Sequence, residues 1–408
     1  MGADGNSAGI RVRGRRVAAL PRIAAGQLIS WGTLYYSLTF LAEPIQQETH
    51  WSLTQIFGAF SGGLLVAAAA APVVGEVIAR WGARSCLTAG SLLASVALTV
   101  IAVSPTLVVF TIGWLLAGIA MAATLYEAGF SALRESSGPA FRRQVSTLAL
   151  IAGLASTLAW PLAAGITAVA DWRMALLCFA ALNLGLAAPL HWSLPHRERD
   201  LDSDRHDRPT RSPALGFSMI GPGLCLAVLA FALSALLSSA LSAHLAVLLS
   251  AQGIGDRLIL WAAVLIGPMQ VLARAMDMAW HNSYSTRVLG VLAMGLPPLG
   301  VALLLVSSHW PAAVLLFAAL YGAGHGLVTI VKAVIPTLLG NEMAYPRLAG
   351  WIAAPGLVTR ALGPVSTASM IEATDTRVTL VILLTAGLLS VASLLVFFSG
   401  KSARSPAR

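Results

Sequence analysis

The sequence predicts an all-α integral membrane protein with twelve transmembrane helices in two halves of six. Hydrophobic residues make up 57% of its 408 residues and charged residues only 11%, whereas about a quarter of an ordinary soluble domain is charged. The apolar residues form successive runs, each near the roughly 20 residues that a helix needs to cross a bilayer. Because only backbone that hydrogen-bonds within its own segment is stable in lipid, each run is predicted to be helical.

The predicted spans fill the chain and leave one long charged interruption. In chain order they cover residues 22–44, 54–78, 86–104, 106–132, 143–169, 173–194, 216–248, 258–280, 287–306, 311–338, 347–371 and 377–399. The interruption holds five arginines and five acidic residues, a composition typical of a solvated linker. The predicted domains are a basic tail (1–21), an N-terminal half (22–194), a linker (195–213), a C-terminal half (214–400) and a second tail (401–408).

The distribution of cations predicts the orientation. Of the 26 Lys and Arg residues, twenty fall on the side of the termini and linker, three fall on the other side, and three lie within spans. This bias is the positive-inside signature, so both termini and the linker are predicted to be cytoplasmic in a bacterial inner membrane. The net charge of +9 is then explained by topology, and no nucleic-acid partner is expected.

Neither a cofactor nor enzymatic activity is expected. Cys86, Cys178 and Cys225 lie on three different predicted spans, which favours neither a disulfide nor a thiolate metal site. The sequence has no GxxxxGK[ST] motif for ATP. Paired metal-binding aspartates and HExxH are also missing from it, so a membrane-embedded enzyme is a remote alternative, as is a non-transporting sensor. The expected partners are a small-molecule substrate, protons and lipid, and the chain is expected to be a monomer.

One turn carries a recognisable motif. Between the second and third predicted spans the chain reads GEVIARWGAR, from Gly75 to Arg84. This resembles the major facilitator superfamily pattern of Gly, three residues, Asp, a basic residue, one residue, Gly and two basic residues. Gly75, Arg80, Gly82 and Arg84 match it. With the twelve spans and the central linker, the resemblance covers nearly the whole chain and implies alternating-access transport, with these four residues in conformational gating.

The motif also departs from the family pattern. Ala79 occupies the Asp position, and Ala83 occupies the first position of the final basic pair. Without this Asp, the charged gating interaction that is usual in the family lacks its acidic residue. Glu76 is the candidate to replace that acidic residue.

The fifth predicted span resembles a degenerate form of a Gly-Pro-x-x-Gly-Gly motif associated with antiporters in this superfamily. Pro161 and Gly165 match that motif, whereas Trp160 and Ala164 do not. The resemblance slightly favours export and a gating role for Pro161. The alternative is that Pro161 only kinks a packed helix.

Ionisable residues inside predicted spans are functional hypotheses, because a charge in lipid is costly without a partner or water. Those well inside the spans are Glu127, Arg274, Asp277, His325, Lys332 and Arg360. The resemblance places all of them on helices that line the superfamily cavity, and none is expected on the peripheral helices 3, 6, 9 and 12.

Two of the arginines are candidate anion-binding groups, because guanidinium binds a carboxylate with two parallel hydrogen bonds. Arg360 is predicted to lie near the midplane, with an ion pair to Glu127 as the alternative. Arg274 either binds substrate or extends to the surface and pairs with Asp277. Gln270, one turn before Arg274, belongs to the same predicted substrate site.

Proton coupling has two candidate groups. Glu127 is the acid well inside the N-terminal half, and a structural ion pair is its alternative role. His325 lies in a glycine-rich stretch and either carries a proton or serves as a hydrogen-bonded structural residue; it is also a candidate substrate residue. For Lys332, extension to the cytoplasmic surface is the favoured interpretation.

A polar and aromatic stripe follows the first span at helical spacing. Gln27, Trp31, Tyr35 and Tyr36 form it, and Trp160 on the fifth span joins the predicted substrate lining. Such a stripe lines a cavity or packs helices together.

The sequence therefore predicts a secondary active transporter that moves a small organic anion by alternating access and uses the proton gradient. The alternative is an antiporter that exports an amphiphilic drug or a toxic metabolite.

The predicted topology is testable with a cysteine introduced at Ser203, after the three native cysteines have been replaced. A membrane-impermeant maleimide is expected to label Ser203→Cys only after the cells are permeabilised, because the linker is predicted to be cytoplasmic. Ser308→Cys, in a loop predicted to lie outside, is the control and is expected to react in intact cells. Labelling of Ser203→Cys in intact cells would contradict the orientation.

Overall fold

The computed structural model describes residues 19–195, 221–340 and 344–400. The predicted tail up to residue 18, the predicted linker beyond residue 195 and the tail at 401–408 lie outside these ranges. The regular secondary structure of the described residues is helical.

Twelve membrane-crossing segments can be traced through the described residues. They are α1 (19–49), α2 (53–81), α3 (83–102), α4 (107–137), α5 (141–167), α6 (Trp172–Trp192), α7 (Pro222–Ser250), α8 (Asp256–Trp280), α9 (Thr286–Leu304), α10 (Ala313–Leu339), α11 (Tyr345–Ala373) and α12 (Thr376–Ser399).

Helix length and composition agree with this count. Among the described residues, eight helical stretches are long and apolar enough to cross a membrane, and two of them, Leu53–Ala102 and Leu107–Thr167, each contain two segments. The more polar α1 and α11 complete the twelve. The predicted fold class is confirmed.

Several segments depart from regular α-helix. Gly82 separates α2 from α3 at φ 81° and ψ 156°, a conformation essentially restricted to glycine. The backbone of α4 is extended at Leu125 (φ −79°, ψ −161°). Short π-helical stretches interrupt α1 at Trp31–Tyr36 and α6 at Asn183–Ala187, and such stretches often mark functional sites.

The two halves share a core at one end of the molecule, here called the terminal end because Ala19 and Ser399 lie there. The shared core joins side chains such as Ile78 and Leu148 of the N-terminal half to Val331 and Ile352 of the C-terminal half. Towards the other end, called the opposite end, the core divides in two: one part belongs to the N-terminal half and is joined by Ala361 of α11, and the other belongs to the C-terminal half. The halves are therefore joined most extensively at the terminal end.

Two glycines bring α2 and α11 into backbone contact at the terminal end. A β-carbon at Gly75 would overlap the carbonyl oxygen of Pro346, and one at Gly350 would overlap that of Ala71. Gly75 is the first residue of the predicted gating motif, and the close approach explains why a glycine is needed there.

Candidate functional site

A cavity of about 350 Å³ lies between α7 and α8, with α10 behind it. Gln270, Tyr321 and His325 are among its lining residues. It continues into a recess lined by Ser250 and Asp256, where α7 ends and α8 begins. The cavity therefore leads to the opposite end, and two predicted substrate residues, Gln270 and His325, line it.

Hydrogen bonding and stacking hold His325 in place. The Oγ of Ser238 lies 3.0 Å from its Nδ1. Its ring stacks on Tyr321, with centroids 5.7 Å apart and planes at 24°. Both the proton-carrier hypothesis and the structural alternative fit this geometry.

Aromatic side chains from α1 form a cluster on the N-terminal half. The Tyr35 ring centroid lies 5.1 Å from that of Trp31 and 5.2 Å from that of Tyr36. The indole Nε1 of Trp160 donates to the Tyr36 carbonyl oxygen at 3.2 Å. Four of the residues predicted to line the substrate site are thus neighbours in space.

Arg360, on α11, reaches this cluster from the other half. Its guanidinium carbon lies 5.8 Å from the Tyr35 ring centroid, a distance at which cation and ring attract. Tyr36 and Glu127 are further electrostatic neighbours. Within the described part of the chain, no carboxylate lies at ion-pair distance from Arg360.

Gln27 has a different environment from the rest of the predicted stripe. It is fully buried, and its Nε2 donates to the carbonyl oxygens of Thr124 (2.5 Å) and Leu125 (3.3 Å). Its Oε1 accepts a hydrogen bond from Trp31. The amide therefore provides hydrogen bonds to the backbone carbonyls at the break in α4, and it is not exposed to the cavity.

Glu127 forms an ion pair with Lys332, which joins α4 to α10 across the two halves. Both side chains are about one-quarter exposed (23% and 26%). The favoured interpretation of Lys332 as a surface-reaching residue was therefore wrong, because a carboxylate of the other half lies within its reach. The alternative pairing of Arg360 with Glu127 is not what the structure shows.

Arg274 binds one backbone carbonyl in each half. Its Nε donates to the Gly326 carbonyl oxygen of its own half at 3.1 Å, and its Nη1 donates to that of Ala149, on α5 of the other half, at 3.0 Å. The residue is only 6% exposed. The alternative that Arg274 pairs with Asp277 was wrong, because Asp277 has another partner.

That partner is Arg142, at the start of α5, whose Nη2 lies 2.6 Å from Asp277 Oδ1. Ser146 donates to Oδ2 at 2.6 Å, and the Tyr284 hydroxyl donates to Oδ1 at 2.7 Å. Burial, and then the Asp277 carboxylate, raise the pKa of Tyr284 in the α8–α9 loop, so the phenol stays protonated and donates. Asp277 is fully buried, and Arg142 comes from the other half.

Glu76 makes a further charged contact between the halves at the terminal end. It accepts from Arg80 Nε at 2.5 Å on its own helix and from Arg347 of α11, whose Nη2 lies 3.1 Å away. The sequence left open whether Glu76 replaces the missing Asp at Ala79. The structure gives it an arginine partner in the other half.

The remaining predicted gating residues lie at separate places. The Arg84 guanidinium stacks over the Trp192 ring at 4.3 Å, and Gly82 makes the turn between α2 and α3. Pro161 lies inside the second part of α5.

His191 is an ionisable residue that the sequence interpretation overlooked on the peripheral helix α6. It is fully buried, its Nδ1 lies 2.8 Å from Ser91 Oγ, and it packs against Gly26. The expectation that peripheral helices carry no such group was therefore wrong.

Comparison with known proteins identifies the class. Residues 23–328 match the sequence profile of the Major Facilitator Superfamily, about three-quarters of the chain, and the chain belongs to this family of membrane transporters. Compared with curated protein sequences, the chain has no match.

Two solved structures share the fold at low identity. The human organic anion transporter MFSD10 (TETRAN) is 16% identical with a TM-score of 0.71, over 93% of this chain and 99% of that one. The proton:xylose symporter XylE, bound to 6-bromo-6-deoxy-D-glucose, is 13% identical with a TM-score of 0.74, over 93% and 95%.

Loss of the Asp277 charge is expected to loosen the terminal end. Asp277→Asn keeps the shape but leaves Arg142 without its counter-charge, and breaking a buried pair costs about 3–5 kcal/mol. A cysteine at Thr147, which contacts Met278 of the other half, is expected to react several-fold faster with a maleimide in this background.

Asp375→Asn, which removes a carboxylate charge at the cap of α12 but keeps a capping side-chain oxygen, is the matched control and should leave the Thr147→Cys reaction rate unchanged. If Thr147→Cys reacts with the maleimide at the same rate with and without Asp277→Asn, the Arg142–Asp277 pair does not hold the halves together.

Proposed function

We propose that the protein is a secondary active transporter that carries a small organic anion by alternating access, coupled to protons. The observation that supports the anion most directly is Arg360, a cation within the membrane that faces the other half without a carboxylate partner among the described residues. A charge in this position is costly unless it meets a counter-charge or water. A bound anion supplies that counter-charge.

The geometry suits a carboxylate. Guanidinium offers five donors in one plane and binds the two oxygens of a carboxylate together. Gln270 and His325 provide further polar groups on the cavity wall. MFSD10, which shares the fold at 16% identity, is an organic anion transporter, and this substrate class agrees with the proposal.

The Glu127–Lys332 pair supplies a route for coupling. It joins α4 to α10 across the halves, so protonation of Glu127 removes one attraction that keeps the terminal end closed. Arg360 is an electrostatic neighbour of Glu127, so an anion on Arg360 favours protonation of the nearby carboxylate. Substrate and proton then promote opening together, a coupling that is reciprocal by linkage.

The predicted orientation assigns the terminal end to the cytoplasm of a bacterial inner membrane. The structure, joined at the terminal end, then corresponds to a state that is open to the outside. The division into tails, halves and linker and the monomeric state belong to the same proposal.

Export of an amphiphilic compound is the second candidate, and the aromatic cluster around Tyr35 favours it. Aromatic rings bind apolar solutes with or without charge, so this candidate does not need Arg360.

Arg360 is expected to be essential for anion binding. Arg360→Lys keeps the charge but loses the two-oxygen geometry, and a loss of about tenfold in affinity is expected; Arg360→Gln is expected to abolish binding. Thermal-shift titration of purified protein with a panel of acetate, lactate, succinate and benzoate measures this. Arg377→Gln, at an exposed arginine of α12, is the control, and wild-type affinity in Arg360→Gln would move the site elsewhere.

Glu127 is expected to couple flux to pH. Glu127→Gln imitates the protonated carboxyl, so flux of the best-binding anion into proteoliposomes should continue but lose its dependence on an imposed pH gradient. His325→Gln tests the other candidate in the same assay. Unchanged pH dependence in both variants would remove these two residues as proton carriers.

A further inference from the structure

The two walls that meet near Arg360 differ in chemistry, and we propose that the transported anion is an aryl carboxylate, a planar ring that bears one carboxylate. This inference rests on the proposed function, because it assumes that the anion binds at Arg360. It adds the class of the group attached to the carboxylate.

The wall on the N-terminal half is aromatic. Tyr35 is surrounded by three rings in edge-to-face contact, those of Trp31 (5.1 Å, 65°), Tyr36 (5.2 Å, 85°) and Phe60 (5.6 Å, 67°). Trp31 also contacts Tyr126 at 4.7 Å. Such contacts fix the orientation of each ring, so the cluster is a preformed surface.

Part of the aromatic cluster is accessible. Tyr35, Tyr36, Phe60 and Tyr126 are partly exposed, and Trp160, bonded to the Tyr36 carbonyl, is 42% exposed. Arg360 reaches Tyr35 from the facing half. The cluster therefore borders the space between the halves.

The wall on the C-terminal half presents a cation. Arg360 lies there, and His325 and Tyr321 are its electrostatic neighbours. His325 also lines the adjoining, mostly apolar cavity with Gln270 and Ser242. A solute that touches both walls needs a group for guanidinium at one end and an apolar face at the other. An aryl carboxylate has both within the length of a single ring.

An aromatic solute fits this wall better than an aliphatic one of equal size. A ring adds an electrostatic edge-to-face contribution with Tyr35 and its neighbours beyond the apolar area that it buries. A saturated ring buries similar area without that contribution. The expected preference for the aromatic ring is a few-fold to about tenfold in affinity.

Four ligands, tested on the wild-type protein, separate the contribution of the carboxylate charge to affinity from that of the aromatic ring. Benzoate is compared with cyclohexanecarboxylate, which has the charge but a saturated ring, with benzamide, which has the ring but no charge, and with acetate, which has the charge alone. Isothermal titration of the purified protein is expected to rank benzoate first, cyclohexanecarboxylate at least a few-fold weaker, and benzamide and acetate weaker still.

The outcomes distinguish the two proposals. If cyclohexanecarboxylate equals or exceeds benzoate, the aryl inference is wrong while anion binding stands. If benzamide equals benzoate, the charge contributes nothing and the anion transporter itself is the wrong proposal. If acetate equals benzoate, the attached ring has no site and the aryl inference is again wrong.

A matched pair of variants locates the ring site. Tyr35→Phe keeps the ring and is expected to keep the preference for benzoate over cyclohexanecarboxylate. Tyr35→Leu removes the ring and is expected to bring the two affinities within about twofold of each other, with a smaller effect on acetate. Retention of the full benzoate preference in a folded Tyr35→Leu variant would contradict the proposed placement.

Discussion

The terminal end of the molecule depends on ion pairs between the two halves. Asp277 is fully buried, and its cationic partner, Arg142, lies in the N-terminal half. Glu76 and Arg347 form the reverse arrangement, with the acid in the N-terminal half. A buried charge that loses its partner is strongly unfavourable unless water replaces it. The interface is therefore stable when fully closed or fully hydrated, and intermediate separations are disfavoured.

Not every contact across this interface has the same chemistry. Arg274 donates across the interface to the carbonyl oxygen of Ala149 and, within its own half, to that of Gly326; backbone carbonyls neither titrate nor depend on side-chain identity. The Glu127–Lys332 pair is partly exposed, and Glu127 is an electrostatic neighbour of Arg360. The interface thus combines a contact to backbone, which has no titratable acceptor, with a partly exposed ion pair, to which the proposed proton coupling is assigned.

The architecture was predictable from the sequence because it depends on local quantities. Apolar run length gives the spans, and a single glycine at position 82 marks the turn between α2 and α3. The positions of ionisable residues along the spans were also visible, and Arg360 and Glu127 remain predictions for the site. None of these conclusions required knowledge of which helices touch.

The partners of the charged residues were not predictable from the sequence, because they depend on contacts between residues far apart in the chain. Arg142 and Asp277 are 135 residues apart, and Glu76 and Arg347 are 271 apart. Arg142 and Arg347 contributed to the orientation as loop cations, and nothing in the sequence distinguishes them from other loop arginines. The pairing depends on how two halves dock, and a residue's neighbours on its own helix, such as Asp277 for Arg274, were misleading guides.

The π-helical stretch in α1 affects the phase of that helix. Each helical residue turns the chain by about 100°, and a π segment accommodates one extra residue per turn. Trp31 consequently lies near both Tyr35 and Tyr36, at 5.1 Å and 6.0 Å, whereas a regular helix would direct two consecutive tyrosines about 100° apart. The number of residues between Trp31 and Tyr36 therefore determines how the helix is rotated beyond this stretch. It sets the rotation of the aromatic cluster relative to Gln27 and the rest of the first helix, independently of which side chains are present.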